Sequence, residues 1–102
     1  MANTFKNYVS ASVGTSTATV YTVPSNTTSV VIGLNVANRA ASQITVDVLL
    51  GSTYIIKAVA IPVASSLSVL DGKIIMETTE TLRVTSSASS SADVILSVLE
   101  QT

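Results

Sequence analysis

Apolar and polar positions alternate along most of this chain, and the period is two. From Ser29 to Asn38, Val30, Ile32, Leu34 and Val36 fall on one side of an extended segment, with Val31, Gly33, Asn35 and Ala37 on the other. Gln43 to Leu50 repeats the pattern, with Ile44, Val46, Val48 and Leu50 inward and Thr45, Asp47 and Leu49 outward. Thr81 to Thr85 places Leu82 and Val84 inward and Arg83 outward, and Asp93 to Leu99 sets Val94, Leu96 and Val98 against Ile95 and Leu99. Shorter or weaker strands are predicted over Phe5 to Val13, Thr17 to Val23, Thr53 to Val63, Ser66 to Leu70 and Lys73 to Thr78.

The punctuation fits short strands. Pro24-Ser-Asn ends one, because proline cannot donate to a ladder. Gly51-Ser52 reads as a hairpin turn, and Asp71-Gly72 carries the strongest type I′ signal. No segment has a helical period, and the density of Val, Ile, Thr and Ser opposes one. The expectation is an all-β, antiparallel two-sheet sandwich of about eight short strands, jelly-roll-like or Ig-like. Residues 1–12 read as an N-terminal arm or edge strand, and residues 13–102 as a single sandwich domain.

Several strands are apolar on both sides. Val31, Leu49, Ile55, Val59, Ile61, Ile75, Ile95 and Leu99 point away from the side assigned to the core. Gathered on one surface they form a contact patch, whereas bulges that reverse the facing would return some of them to the interior. With Phe5 and Tyr8 of the N-terminal segment as aromatic anchors, the candidate interface is Phe5, Tyr8, Val31, Leu49, Val59, Ile61, Ile75, Ile95 and Leu99.

Composition sharpens this picture. The 102 residues include 16 Ser and 14 Thr beside 15 Val and 8 Ile, but only five basic and six acidic side chains. A charged fraction of 11% is well under the ~25% of ordinary soluble domains. A chain so poor in charge is weakly protected against association, which points to cover by other protein chains in a permanent assembly, a homo-oligomer included. The basic residues Lys6, Arg39, Lys57, Lys73 and Arg83 are scattered, so no nucleic-acid footprint is expected. The longest apolar run, Ala58 to Ala64, is seven residues and contains Pro62, so no membrane span is expected. The N-terminal residues have no apolar stretch of the kind a secretory signal needs.

Catalytic chemistry finds few carriers. Nucleophilic catalysis needs a base beside Ser, Cys or Thr, and the chain has neither His nor Cys. The same absence removes the usual zinc ligands, and no calcium loop gathers Asp47, Asp71, Glu77, Glu80 and Asp93. Glu77 and Glu80 are the nearest approach to a glycosidase pair and read better as solvated residues at a strand end. Four aromatics, Phe5, Tyr8, Tyr21 and Tyr54, make a thin platform for a sugar. The expectation is a non-enzymatic protein without catalytic residues, cofactor or metal.

Several short motifs carry a resemblance. Met1-Ala-Asn-Thr-Phe-Lys-Asn, Val13-Gly-Thr-Ser, Thr19-Val-Tyr-Thr-Val-Pro and Val31-Ile-Gly-Leu-Asn-Val-Ala-Asn resemble small virion structural proteins of tailed bacteriophages, especially phages of cyanobacteria and marine bacteria. Leu70-Asp-Gly-Lys, Thr81-Leu-Arg-Val-Thr-Ser-Ser and Val94-Ile-Leu-Ser-Val-Leu-Glu are similar to the later part of such subunits. The resemblance spans nearly the whole chain and carries no catalytic residue. It implies a β-sandwich subunit of a virion assembled in the host cytoplasm. Capsid decoration is favoured, a cement protein bridging capsomers with the major capsid protein as partner. A neck, tail or baseplate accessory, or a carbohydrate-binding module for host recognition, is the alternative.

Overall fold

The computed structural model describes residues 3–70 and 72–102. Nine strands run through it: β1 Asn3–Val13, β2 Ala18–Thr22, β3 Thr28–Asn38, β4 Ile44–Leu50, β5 Thr53–Ile61, β6 Ser66–Ser68, β7 Ile74–Met76, β8 Thr81–Ser86 and β9 Ala92–Gln101. They form two antiparallel sheets. The front sheet has the order β1-β9-β3-β6, with β7 also on β3, and the back sheet has the order β2-β8-β4-β5.

Strands β6 and β7 are one broken edge strand. β6 pairs with Asn35–Ala37 and β7 with Ser29–Val31, both antiparallel to β3 and end to end along it. Counted as one, they leave eight strands in the order of a jelly roll. The type I′ signal at Asp71-Gly72 therefore does not fold two strands against each other. Pairing with β3 keeps the two segments in line, and Asp71 itself lies outside the described residues. Gly51-Ser52 does close a hairpin, with Leu50 opposite Thr53 and Gly51 at φ 62°, where a Cβ is disfavoured.

The two inner faces interdigitate. Val31, Leu34, Val36, Met76, Val94, Leu96 and Val98 from the front sheet meet Tyr21, Ile44, Val46, Val48, Ile61, Leu82 and Val84 from the back, all at most 3% exposed. Strand alternation alone does not give this set, because four irregularities reset the phase. Ile32 is an extra residue in β3, so Val31 and Leu34 both face inward although they are three apart. Val31 is thus a core residue and leaves the expected interface, while Val30 and Ile32 take the outer side. In β5 the register slips twice, where Ile56 faces Val48 and Val59 faces Val46. Lys57 and Ala58 bulge opposite Asp47, with Ala58 at φ 53° and its N–H bound to Asp47 Oδ1 at 2.6 Å. The slip returns Val59 to the inner side and buries Ile61 against Ile44, so both leave the expected outward set. A bulge at Val20 in β2 turns Tyr21 inward, and Ala11 and Ser12 interrupt the register of β1 with β9.

Polar groups brace the sandwich from inside. The Asn38 amide donates to the carbonyls of Ser42 (2.9 Å), Ile61 (3.0 Å) and Pro62 (3.2 Å), and its oxygen accepts from the Ala40 N–H (2.8 Å). That clamp ties the end of β3 to the end of β5 across the two sheets. Ser86 and Ser91 share a hydrogen bond at the same end, and Ser91 also donates to the Ala88 carbonyl at 2.7 Å. Among the described residues no buried side-chain nitrogen or oxygen lacks a partner.

Candidate functional site

The outer face of the front sheet is the chemically unusual surface. Residues directly opposite in an antiparallel pair share a face. Phe5 is opposite Leu99, Leu99 opposite Val30 and Val30 opposite Ile75, an apolar row across four strands. Asn7, Ser97 and Gly33 make the next row on that face. Val9, Ile95, Asn35 and Ser68 make the row after it. Ile32, at the bulge, stands beside the middle row.

These side chains are open to solvent in the single chain. Phe5 is 73% exposed, Val9 67%, Ile75 62%, Ile95 51% and Ile32 45%. Tyr54 and Val63 are the remaining large apolar side chains exposed among the described residues. Within the three rows no side chain carries a formal charge. An open depression lined by Phe5, Lys6, Asn7, Ile32, Ser97 and Val98 borders this face, with Lys6 as the charged side chain in its lining.

Beneath this face lies a buried carboxylate. Glu100, next in chain to Leu99, points inward and is 5% exposed. Its Oε2 accepts hydrogen bonds from the hydroxyls of Tyr8 and Tyr21, each at 2.6 Å. Lys6 Nζ stands 3.4 Å from Oε1, and the Tyr21 hydroxyl is 2.5 Å from Ser29 Oγ. The two tyrosine rings stack with centroids 4.3 Å apart. Tyr21 comes from the back sheet and the other members from the front sheet, so the cluster fastens edge strand β1 and joins the two layers.

The electrostatics follow from this geometry. Burial opposes ionisation of Glu100, but hydrogen bonds from Tyr21, Tyr8 and Lys6 outweigh it and hold the carboxyl below its ordinary range. Burial, then the hydrogen bond to Glu100, pushes the Tyr8 phenol up to about 12. The same two causes raise Tyr21 further. The carboxylate is saturated by its partners and the phenols are locked in the neutral form. This constellation fastens strands; it is a poor acid or base for an external substrate.

The expected interface residues separate into groups. Phe5, Ile75, Ile95 and Leu99 share the front sheet's outer face, and Leu49 sits on the outer face of the back sheet opposite Tyr54 and Arg83. Tyr8 belongs to the Glu100 cluster, Val31 and Ile61 are buried in the core, and Val59, half-buried, lies opposite Val46. The face also takes Val9, Val30 and Ile32, which sequence reasoning did not assign to it. The outward phase of Val9 was readable beside Phe5; Val30 and Ile32 depended on the bulge. The Glu100 cluster had no sequence signal beyond a carboxylate at the end of an apolar strand.

Other candidates are dispersed. The Glu80 carboxylate accepts the Glu77 N–H at 2.7 Å, closing the turn between β7 and β8. Phe5 and Tyr54 stand on opposite outer faces while Tyr8 and Tyr21 are stacked together, so the four aromatics form no common platform. Lys57 Nζ lies 4.8 Å above the Tyr54 ring. Among the described residues no three His, Cys, Asp or Glu gather where they could hold a metal ion, and no helix is long and apolar enough to cross a membrane.

No protein-family model and no curated protein matches the chain. Among solved structures, the fold is similar to a chain described under "Bacillus endospore appendages form a novel family of disulfide-linked pili". The TM-score is 0.57 at 10% identity, over 98% of this chain and 88% of that one. At that identity the likeness concerns the fold, an all-β sandwich of two packed sheets.

Proposed function

We propose that this protein is a non-enzymatic structural subunit of a tailed-phage virion that decorates the head by bridging capsomers. The observation that carries the contact role is the gathering of Phe5, Val9, Ile32, Ile75 and Ile95 on the outer face of the front sheet, set against a back sheet whose outer face mixes Leu49 and Tyr54 with Thr45, Asp47, Arg83 and Thr85. A face of this kind is stabilised by exclusion of water when a neighbouring protein covers it, at roughly 25 cal/mol per Å² before the losses of association are subtracted. The virion assignment rests on the sequence motifs that resemble phage structural proteins. A filament of the kind named for the similar solved structure would need another linkage here, because these 102 residues contain no cysteine.

Electron microscopy of particles from the phage that encodes the protein, with the protein antibody-labelled, tests this reading. Label spread over the icosahedral faces is the expected result. Label confined to neck, tail or baseplate overturns decoration in favour of an accessory role there, and absence from all particles overturns the virion reading altogether.

A further inference from the structure

We infer that residues 3–10 of β1 form a hinged strap that opens as a unit while the rest of the sandwich stays folded, with its hinge at Ala11-Ser12 and its latch at Glu100. This motion does not depend on which particle the protein joins. Three observations carry it.

The first is how little the strap adds to the core. β1 is the end strand of the front sheet, and its ladder is with β9. Thr4, Lys6, Tyr8 and Ser10 stand opposite the buried residues Glu100, Val98, Leu96 and Val94, so these four make up its inner side. None of the four is aliphatic, and among them Tyr8 packs against the core. In β3 the inner positions hold Val31, Leu34 and Val36 instead. A strand that buries so little apolar surface belongs to the low-stability end of a domain.

The second is the latch. What holds the inner side of the strap is the Tyr8 hydroxyl on Glu100 Oε2 at 2.6 Å, Lys6 Nζ at 3.4 Å from Oε1, and the Tyr8 ring stacked on Tyr21. Glu100 keeps the Tyr21 hydroxyl, also at 2.6 Å, when the strap leaves. Water then reaches the side that Tyr8 and Lys6 vacate. Opening therefore breaks a ladder and a latch without stranding a buried, unpartnered charge.

The third is the hinge. Pairing with β9 is interrupted between Ser10 and Val13, where Ser12 has φ 58°. Beyond that point the chain is pinned. The Ser12 N–H donates to Asp93 Oδ1 at 2.9 Å, the Ser91 N–H to the Val13 carbonyl at 3.0 Å, and the Ser86 N–H to the Gly14 carbonyl at 2.9 Å. Val13 is 3% exposed. A Cβ at Gly14 would stand 3.2 Å from the Ser90 nitrogen and 3.3 Å from Ser89 Cα, so the backbone is seated closely on that loop. The strap ends where this packing begins. Its opening bares the backbone edge of β9 and carries Phe5 and Val9 away from the outer face.

Residue-resolved hydrogen exchange of the full chain, followed by NMR, tests the strap. Successive N–H groups of a central antiparallel strand point to alternate neighbours. β9 lies between β1 and β3, so a strap that opens alone leaves every second β9 amide protected. The β1 amides bonded to β9, and the β9 amides bonded to β1, are expected to exchange together. Their rate should exceed that of the β9 amides bonded to β3, and of β4 and β8, at least about tenfold. Low concentrations of urea should hasten the slow set and hardly change the fast one, because opening the strap exposes little surface.

Two variants separate latch from body. Tyr8→Phe removes the strap's own hydroxyl and is expected to speed the fast set about tenfold. Ile44→Val, in the core of the back sheet, is expected to speed the slow set about fivefold and leave the fast set unchanged. Exchange of β1 no faster than that of β4 and β8, or no alternation along β9, overturns the strap. So does an Ile44→Val chain in which both sets speed up alike. A fast set indifferent to Tyr8→Phe overturns the latch at Glu100.

Discussion

The two sheets treat inside and outside differently. In the back sheet the division is nearer the ordinary one: Val46, Val48, Leu82 and Val84 are buried, while Thr45, Asp47, Arg83 and Thr85 form most of the outer face, with Leu49 and Tyr54 at one end of it. In the front sheet, at the Glu100 end, it is inverted. Lys6 and Glu100 meet on the inner side, and their chain neighbours Phe5 and Leu99 lie on the outer side. The back sheet is built to meet water. The front sheet holds a carboxylate inside and leaves apolar side chains outside, an arrangement that becomes favourable once the outer face is covered.

The inversion can be broken at its inner half first. Glu100→Ala deprives the buried Tyr21 phenol and the half-buried Tyr8 phenol of their shared charged acceptor, and is expected to cost about 3–5 kcal/mol in urea unfolding. Tyr21→Phe removes the bonds to both Glu100 and Ser29 and is expected to cost about 2 kcal/mol by the same measurement. In the back sheet the comparable bond, from the Ala58 N–H to the exposed Asp47 carboxylate, is worth less: Asp47→Ala should cost about 1 kcal/mol. Equal losses at Asp47 and Glu100 would erase the distinction between the sheets.

The pH dependence sharpens the same comparison. Glu100 is held below its ordinary pKa, so its contribution is present above about pH 4.3, the unfolded value, and is lost as pH falls through the lower folded value. The tyrosines act at the other end. Their folded pKa values are raised, so their contribution is full below about pH 10 and declines as pH rises towards the value near 12 for Tyr8. Glu100→Gln is expected to flatten the acid limb of a stability–pH curve; an unchanged limb would show that Glu100 is not its source.

The smallest change in folding stability is expected on the outer half. Ile95→Thr and Val9→Thr, at exposed positions, should each shift unfolding by no more than about 0.5 kcal/mol when followed in dilute, monomeric protein. A large loss there would mean that the outer face is packed within the single chain.

Much of the fold was legible because alternation is a local property. Ile44 to Val48, Leu82 to Val84 and Val94 to Val98 show the inward and outward residues that their sequence predicts, since each of these runs is unbroken by a bulge. Where a strand is apolar on both sides, alternation gives two consistent phases, and only the neighbouring strand selects one. Val31 and Ile61 illustrate this: the extra residue Ile32 and the Lys57–Ala58 bulge turned them to the core. Four expected interface residues, Phe5, Ile75, Ile95 and Leu99, were nonetheless brought onto one face. Glu100 was illegible because its partners lie 79 and 92 residues away in sequence.

The sequence by itself determined that this is an all-β chain with more apolar surface than one core requires and few side chains suited to catalysis. Residue type and a period of two are sufficient for that. Only the tertiary structure decided where the surplus goes, because bulges and cross-strand register set the phase of each strand. They place the surplus in rows on one outer face, directly above a buried carboxylate that ties the two sheets together.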